Sequence, residues 1–434
     1  MARREMTYYD SSRGGRGRRG WGKRSGRGGG WGSRQGSSQG IGYDTPSAGA
    51  GATRRRFSLP DWLMTAMSVA VAVGVVLSWL ARWINPATYG FMSTAGLLLP
   101  VLFVGNFLCL LYWVIRWRRG IYIPLVIFLT GVWGLTLFFR PQLTLNHGDL
   151  SRDRSLLSVA TYNVRGMMRG TEGTTREPQS SMEDVIAVID SLRADIVCIQ
   201  EFASTPRHPT SRFEEALPAY HYKRLRLGVG STEGGHGWGN AIYSKFPITG
   251  SGHIDFEGTN NSILWADIAV NRDTMRIFCA HLQTTAIKAS DEQYIVDGGF
   301  VGDFVGGDSA GEGTRSARMK GMIGRLAQNY VIRAAQADTL AARITLSPHP
   351  VVVCGDFNDT PVSYAYSRIA RGLRDSFREA GRGYGYTYRG FFNLLRIDYM
   401  LHSPDMECVE YASPSFDNSD HNPVAVKLRI GTGG

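Results

Sequence analysis

The spacing of apolar positions changes character twice along the chain. Residues 1–50 show no apolar period at all; they are rich in Gly, Arg and Ser, with Tyr8, Tyr9, Trp21 and Trp31 interspersed. Such a segment buries too little apolar surface to offset its ordering entropy, so a disordered tail is expected. Three nearly continuous apolar runs follow: Trp62–Leu80, Gly90–Ile115 with Pro100 and Asn106 inside it, and Ile121–Phe139. Each is long enough to cross a hydrocarbon core of about 30 Å as a helix. Aromatic residues (Trp62, Trp79, Trp83, Trp113, Trp117, Tyr122) gather near their ends, where a bilayer interface would lie. Beyond residue 140 the pattern becomes short β-branched runs alternating with helix-period runs. Strands are expected at Leu156–Val164, Asp195–Gln200, Asn240–Ser244, Ile263–Val270, Met275–Ala280, Val351–Cys354, Ile397–His402 and Pro423–Ile430. Helices are expected at Met182–Arg193 and Ser316–Ile344, the latter ending before Pro348. Residues 284–313, rich in Gly and Asp, read as a long insertion loop. This alternation suits an α/β fold of two sheets packed face to face with helices outside.

Four regions follow: a basic tail (1–56), a three-helix transmembrane region (57–140), a tether (141–155) and an α/β domain (156–434). Charge sharpens the division. The tail carries 13 Lys/Arg against 3 Asp/Glu, while residues 151–434 carry 30 against 32. The basic balance of the whole chain, +11, therefore belongs to the tail. It gives no ground for a nucleic-acid groove in the C-terminal domain. An arginine–glycine tail with aromatics can bind RNA; here it also supplies the orientation signal that the next segment needs. Arg54, Arg55 and Arg56 precede the first span and Arg116, Arg118 and Arg119 fill the second loop, whereas the first loop has only Arg82. By the positive-inside rule the tail is cytoplasmic, and three crossings put the α/β domain on the non-cytoplasmic side of a multi-pass membrane protein. Five cysteines make no CxxC or Cys/His metal spacing. They read as buried free thiols with no disulfide framework.

The chemistry sits where apolar strands end. Val351-Val352-Val353-Cys354-Gly355 runs into Asp356 and Asn358, two residues apart and so pointing to one side. Asn163, Gln200-Glu201 and His281 end three other runs; Asp398 lies in Arg396-Ile397-Asp398-Tyr399, and Asp420-His421 precede Asn422-Pro423. Any one of these could be a strand-end cap. Two Asn, several carboxylates and two His, all at strand ends, fit metal-assisted phosphoryl hydrolysis.

In this order the blocks Thr161-Tyr162-Asn163, Ile199-Gln200-Glu201, Gly239-Asn240-Ala241-Ile242-Tyr243-Ser244-Lys245, His281-Leu282-Gln283, Gly355-Asp356-Phe357-Asn358 and Ser419-Asp420-His421 resemble the endonuclease/exonuclease/phosphatase superfamily. The resemblance runs from about Leu156 to Ile430, with Arg396-Ile397-Asp398-Tyr399 between the last two blocks. It implies a four-layered α/β sandwich with the site at one end of two sheets, and hydrolysis of a phosphodiester or phosphomonoester by in-line attack of water. Glu201 would bind Mg²⁺ or Mn²⁺ with Asn163 and Asp420 nearby. Asp398 would orient His421 and stabilise its protonated form; Asp356 and Asn358 would position water, metal or the phosphoryl group; His281 would contact the phosphate or assist the leaving oxygen. Which of Asp356 and His421 is the base stays open. The His281-Leu282-Gln283 block departs from abasic-site endonucleases and is closer to secreted nucleases and sphingomyelinase-like members. Substrate also stays open between a lipid headgroup, a small phosphate ester and nucleic acid. The bilayer is the other expected partner, and no protein partner is implied. A membrane-tethered nuclease is one alternative. A binding module that kept the fold and lost the chemistry is another, and the presence of Glu201, Asp356, Asp398 and His421 counts against it.

Overall fold

The computed structural model describes residues 57–141, 156–167, 181–206, 208–229, 237–285, 312–390 and 393–431. The expected basic tail, nearly all of the tether and most of the insertion loop lie outside them.

The N-terminal region is a small helical bundle. Helix α1 (Leu59–Leu80) starts at Ser58, whose N–H and Oγ both donate to Asp61. The second apolar run is divided into α2 (Gly90–Leu97) and α3 (Leu99–Arg116). The break falls at Leu98, because Pro100 in the first turn of α3 has no N–H to continue the ladder of α2. The third run gives α4 (Tyr122–Leu135), 14 residues long. Two helices, α1 and α3, are thus long and apolar enough to cross a membrane, and α4 is a shorter apolar helix, so the expected three full-length spans are not what forms. Their outward faces are apolar: Leu63, Val104 and Leu129 are each more than 60% exposed.

The bundle has two unlike poles. At one, Arg116 and Arg118 close on the buried Asp61 at 3.1 and 3.2 Å. At the other, Val75, Leu99, Leu137 and Phe138 enter the same apolar cluster as Phe278, Val353, Phe357 and Tyr399 of the α/β domain. Strand β1 (Phe139–Arg140) pairs antiparallel with β11 (Gly383–Tyr384). Arg140, the last residue of the expected transmembrane region, is therefore part of a docked junction.

The α/β domain has two six-stranded mixed sheets. Sheet I contains β2 (Leu156–Asn163), β3 (Ile196–Ser204), β4 (Tyr222–Val229), β5 (Gly237–Ser244), β13 (Met406–Ala412) and β14 (Val424–Ile430), in the order β13-β14-β2-β3-β5-β4. Sheet II contains β6 (Ile248–Asp255), β7 (Ser262–Val270), β8 (Asp273–His281), β9 (Val351–Asp356), β10 (Arg374–Asp375) and β12 (Asp398–His402), in the order β10-β12-β9-β8-β7-β6. Alternation sorts the side chains. Val352 and Cys354 point into the inter-sheet core with Val159, Cys198, Ile277 and Met400. Val351 and Val353 point outward, under α7 (Glu312–Thr345), α8 (Tyr364–Ile369) and the bundle pole. The outer face of sheet I is covered by α5 (Met182–Leu192) and α6 (Thr210–Ala216). The order helix, sheet, sheet, helix is the expected sandwich. Cys198, Cys279 and Cys354 lie buried and free between the sheets, and burial pushes the Cys198 thiol well above its usual range.

Two readings need correction. Arg368, Arg371, Arg374 and Arg378 recur in the sequence at the spacing of one solvated helix face, but they do not share one: they fall on α8, a turn, β10 and α9 (Ser376–Ala380). Gly372, at φ +81°, turns the chain between them. The edge strands β4, β6 and β13 escaped the pattern. In β6 glycines replace the apolar alternation, and in β4 Arg224 and Arg226 stand on the side facing sheet II, where they meet Ser251 and Asp255 of β6.

Candidate active site

Register brings the strand-end residues together. In sheet II, β8 runs parallel to β9 with His281 beside Asp356, and β12 runs antiparallel to β9 with Asp398 beside Asp356. His281, Asp356 and Asp398 thus form one rung across three strands. In sheet I, β2 runs parallel to β3 and sets Asn163 beside Gln200. Asn163 then bridges the sheets, its Nδ2 donating to Asp356 Oδ2 at 3.0 Å and to Glu201 Oε1 at 3.4 Å. Its Oδ1 accepts from the Arg165 N–H at 3.0 Å. Asn163 is therefore a donor to the carboxylates here, and its oxygen would face a cation only after the amide turns over.

Local backbone devices aim these groups. The β3–β5 register shifts between Ile199 and Phe202, and Glu201 sits in that bulge at φ 53°. A bulge of this kind re-aims a side chain that regular pleating would send elsewhere. Gly355 has φ +129°, and a Cβ there would fall 2.0 Å from the Ala280 carbonyl oxygen. Only glycine allows β9 to approach β8 so closely at the step before Asp356. Asn358 is also left-handed, at φ 53°. Its N–H donates to Asp356 Oδ1 at 2.8 Å, and its Nδ2 donates to Asp356 Oδ2 and to the Leu282 carbonyl, each at 3.0 Å.

His421 faces Asp398 on one side and Asp356 on the other. Its Nδ1 is 2.9 Å from Asp398 Oδ2 and its Nε2 is 3.8 Å from Asp356 Oδ2. The Tyr388 ring lies 5.1 Å from the imidazole, and Thr387 Oγ1 accepts the N–H groups of Ile397 and Asp398, fixing the strand that carries the carboxylate. Ser419 Oγ donates to the Asn163 carbonyl and accepts from the His421 N–H, tying the last loop to β2. Burial opposes the charge on His421, but the Asp398 and Asp356 carboxylates outweigh it and raise its pKa well above the usual value. Burial pushes Asp356 up to about 6, with the nearby His421 pulling the other way. The two neighbouring carboxylates thus favour the imidazolium form of His421.

Asp356, Asp398 and His421 offer ligand atoms within 4.8 Å of one another, a spacing that could hold a metal ion. A protonated imidazole has no lone pair to give, so we read this trio as proton-handling. Glu201 is different. Its side chain is 26% exposed, and among the described residues its ion-pairing partner is His281, at 3.7 Å. Asp420, also partly exposed, meets Arg165 at 3.5 Å. Four carboxylates thus face two imidazoles and one guanidinium. This excess of hard anionic oxygen fits a divalent cation at Glu201, with Asp356 and Asp420 within the same acidic surround. Sequence reasoning did not single out Tyr388, Thr387, Ser419 or Arg165 for roles. Only Ser419 carried a signal, as part of its Ser-Asp-His block.

The sandwich and this site define the class. Residues 160–421 match the endonuclease/exonuclease/phosphatase family. The chain belongs to that family and is a phosphoric ester hydrolase. Residues 61–138 match a domain of unknown function. No curated protein matches the chain. Solved structures similar to it include an endonuclease/exonuclease/phosphatase from Beutenbergia cavernae, at 21% identity and TM-score 0.43, covering 64% of this chain and 72% of that one. A mannosyl-6-phosphatase from Bacteroides thetaiotaomicron is 18% identical, with TM-score 0.40, covering 63% and 99%. A humanized D. rerio TDP2 is 16% identical, with TM-score 0.43, over the same shares.

Proposed function

We propose that the chain is a membrane-anchored, divalent-cation-dependent phosphoesterase that hydrolyses small or lipid-borne phosphate esters. The observation that carries this reading is the rung of His281, Asp356 and Asp398, with His421 across it and Glu201 beside it. Asp356, ionised above about pH 6, accepts a proton from the attacking water. Asn163 and Asn358 hold that carboxylate in place through three hydrogen bonds. His421, kept protonated by Asp398, donates to a phosphoryl oxygen. His281 faces the phosphoryl or leaving oxygen. Glu201, Asn163 and Asp420 would hold Mg²⁺ or Mn²⁺, which when bound offsets charge on the phosphoryl oxygens.

Membrane placement is supported by the apolar outer faces of the helices and by their two poles. In this reading the Asp61–Arg116 pole is cytoplasmic, α1 and α3 cross, the shorter α4 leads the chain from that pole back to the domain, and the domain lies outside the cytoplasm. Units of 57–140 and 156–434 remain our division, but Phe357 and Leu282, neighbours of Asp356 and His281, share an apolar cluster with Leu99 and Val75. The protein to assay is therefore the full chain. A panel of phosphomono- and phosphodiesters, soluble, lipid and nucleic acid, should show turnover of the first two with Mg²⁺ or Mn²⁺. Efficient plasmid cleavage that collapses between about 50 and 200 mM salt would instead establish a phosphate-neutralising groove and a nuclease. Protease added to spheroplasts should reach residues beyond 156; protection until the membrane is broken would reverse the orientation.

A further inference from the structure

Arg333, in the middle of α7, is fully buried and takes no part in the chemistry described above. Its Nε donates to the Gln283 carbonyl at 2.6 Å, its Nη1 lies 3.0 Å from Asp359 Oδ2, and its guanidinium stands over the Tyr330 ring at 4.8 Å. Gln283 is two residues beyond His281, and Asp359 is one residue beyond Asn358. One side chain thus grips the loop leaving β8 and the loop leaving β9, just past the groups that face each other on the rung. A burying helix has no need of a cation here: an apolar residue would fill the space without the desolvation penalty. What the planar fork adds is reach to a carbonyl on one loop and a carboxylate on the next.

The same helix face repeats the grip. Gln336 Oε1 accepts the Gln283 N–H at 2.7 Å, and Asn329 Oδ1 accepts from Gln283 Nε2 at 3.2 Å. Positions 329, 333 and 336 share one side of α7, so Gln283 is held by backbone and side chain from a single rigid element. On its far side the Asp359 loop runs close to α2: a Cβ on Gly96 would lie 3.5 Å from the Val362 carbonyl oxygen.

We propose that Arg333 is a positioning residue for phosphoester hydrolysis, locking the post-β8 and post-β9 loops to α7 so that His281 stays opposite Asp356. The proposal rests on the roles given above to those two residues. It acts through geometry alone, and a shift of about 1 Å at a reacting group can lower turnover by about 10²-fold.

The test uses the full chain in detergent or nanodiscs, a 4-nitrophenyl phosphate ester as probe, and kcat and KM measured separately. Arg333→Lys keeps the charge beside Asp359 but loses the Nε bond to Gln283. It should lower kcat about 5- to 20-fold with KM changed less than about twofold. The double variant Arg333→Met with Asp359→Asn removes both charges, so no unpaired ion is left inside; its kcat should fall about 10²-fold. Millimolar guanidinium should restore part of the kcat of Arg333→Ala and none of that of His421→Ala. Arg343→Met, on the exposed end of the same helix, should match wild type. Wild-type kcat in folded Arg333→Lys and in the folded Arg333→Met, Asp359→Asn double variant would overturn the proposal while leaving the site intact. Wild-type kcat in His421→Ala as well would overturn the site assignment itself.

Discussion

Two buried aspartates of sheet II, Asp375 and Asp356, differ in exposure by little, at 6% and 1%, and in almost everything else. Asp375 lies on β10 at the edge. Arg396 meets it with both Nη atoms, at 3.1 and 2.8 Å, and the Tyr366 hydroxyl donates at 2.6 Å. Burial works against the ionised form, yet Arg396 and these hydrogen bonds hold the carboxyl below its usual range. Asp356 lies on β9 in the centre. Its fixed donors are amides, and its imidazole neighbours, His281 and His421, lie at 3.9 and 3.8 Å, beyond hydrogen-bond length. Burial therefore wins, and the carboxyl rises to about 6. The lesson concerns partners rather than depth. A bidentate arginine makes a buried carboxylate a structural tie, whereas amides and a distant imidazole leave it able to take a proton near neutrality.

The sharpest way to break the comparison is to remove one group from each region. His421→Ala should lower turnover by at least about 10²-fold while the chain stays folded. Arg396→Ala should do the reverse. Stranding Asp375 as an unpaired buried charge should lower unfolding free energy by about 3–5 kcal/mol, with kcat per folded molecule little changed. Calorimetry and initial rates on the same preparations separate the two. If Arg396→Ala abolishes turnover in a folded chain, Asp375 and Arg396 belong to the site.

The pH response sharpens the contrast. Activity should rise with pH through about 6, as Asp356 ionises, and fall on an alkaline limb as His421 loses its proton above its usual range. Stability should follow the opposite signs. Asp356 has a raised folded pKa, so its stabilising contribution is full below about 4 and is lost as pH rises through about 6. Asp375 has a depressed folded pKa, so its contribution is present above about 4 and is lost as pH falls through the lowered value. A kcat profile with no limb near 6, or one unchanged in Asp398→Asn, would contradict this assignment.

The smallest expected effect concerns Glu201. Its left-handed backbone carries strain on the order of 1 kcal/mol. Glu201→Gly should therefore raise the unfolding midpoint by a few degrees while removing cation-dependent turnover. A lower midpoint would show that the bulge is held by the Glu201 side chain.

Much of this site was legible because polar residues stand at the limits of apolar runs. Asn163, His281 and Asp356 close β2, β8 and β9, Asp398 opens the antiparallel β12, and register then brings them together. The Asp375–Arg396 tie was not legible, since nothing in Phe377, Tyr366 or their spacing announces an arginine buried among aromatic rings. Arg333 was hidden for the same reason, as one polar residue in a helix full of them. The docking of the bundle was also unreadable. An apolar helix shows its length in sequence, but which end packs on protein depends on partners more than 200 residues away, such as Val353 and Phe357.

The most direct test of the account is the cation requirement of the full chain, before and after Glu201→Gln. Wild-type turnover of a phosphate ester should vanish in EDTA and return with Mg²⁺ or Mn²⁺. In Glu201→Gln the cation concentration for half-maximal rate should rise at least about tenfold, because an anionic ligand has become neutral. Full activity in EDTA, or an unchanged half-saturating concentration in the variant, would contradict a cation held at Glu201.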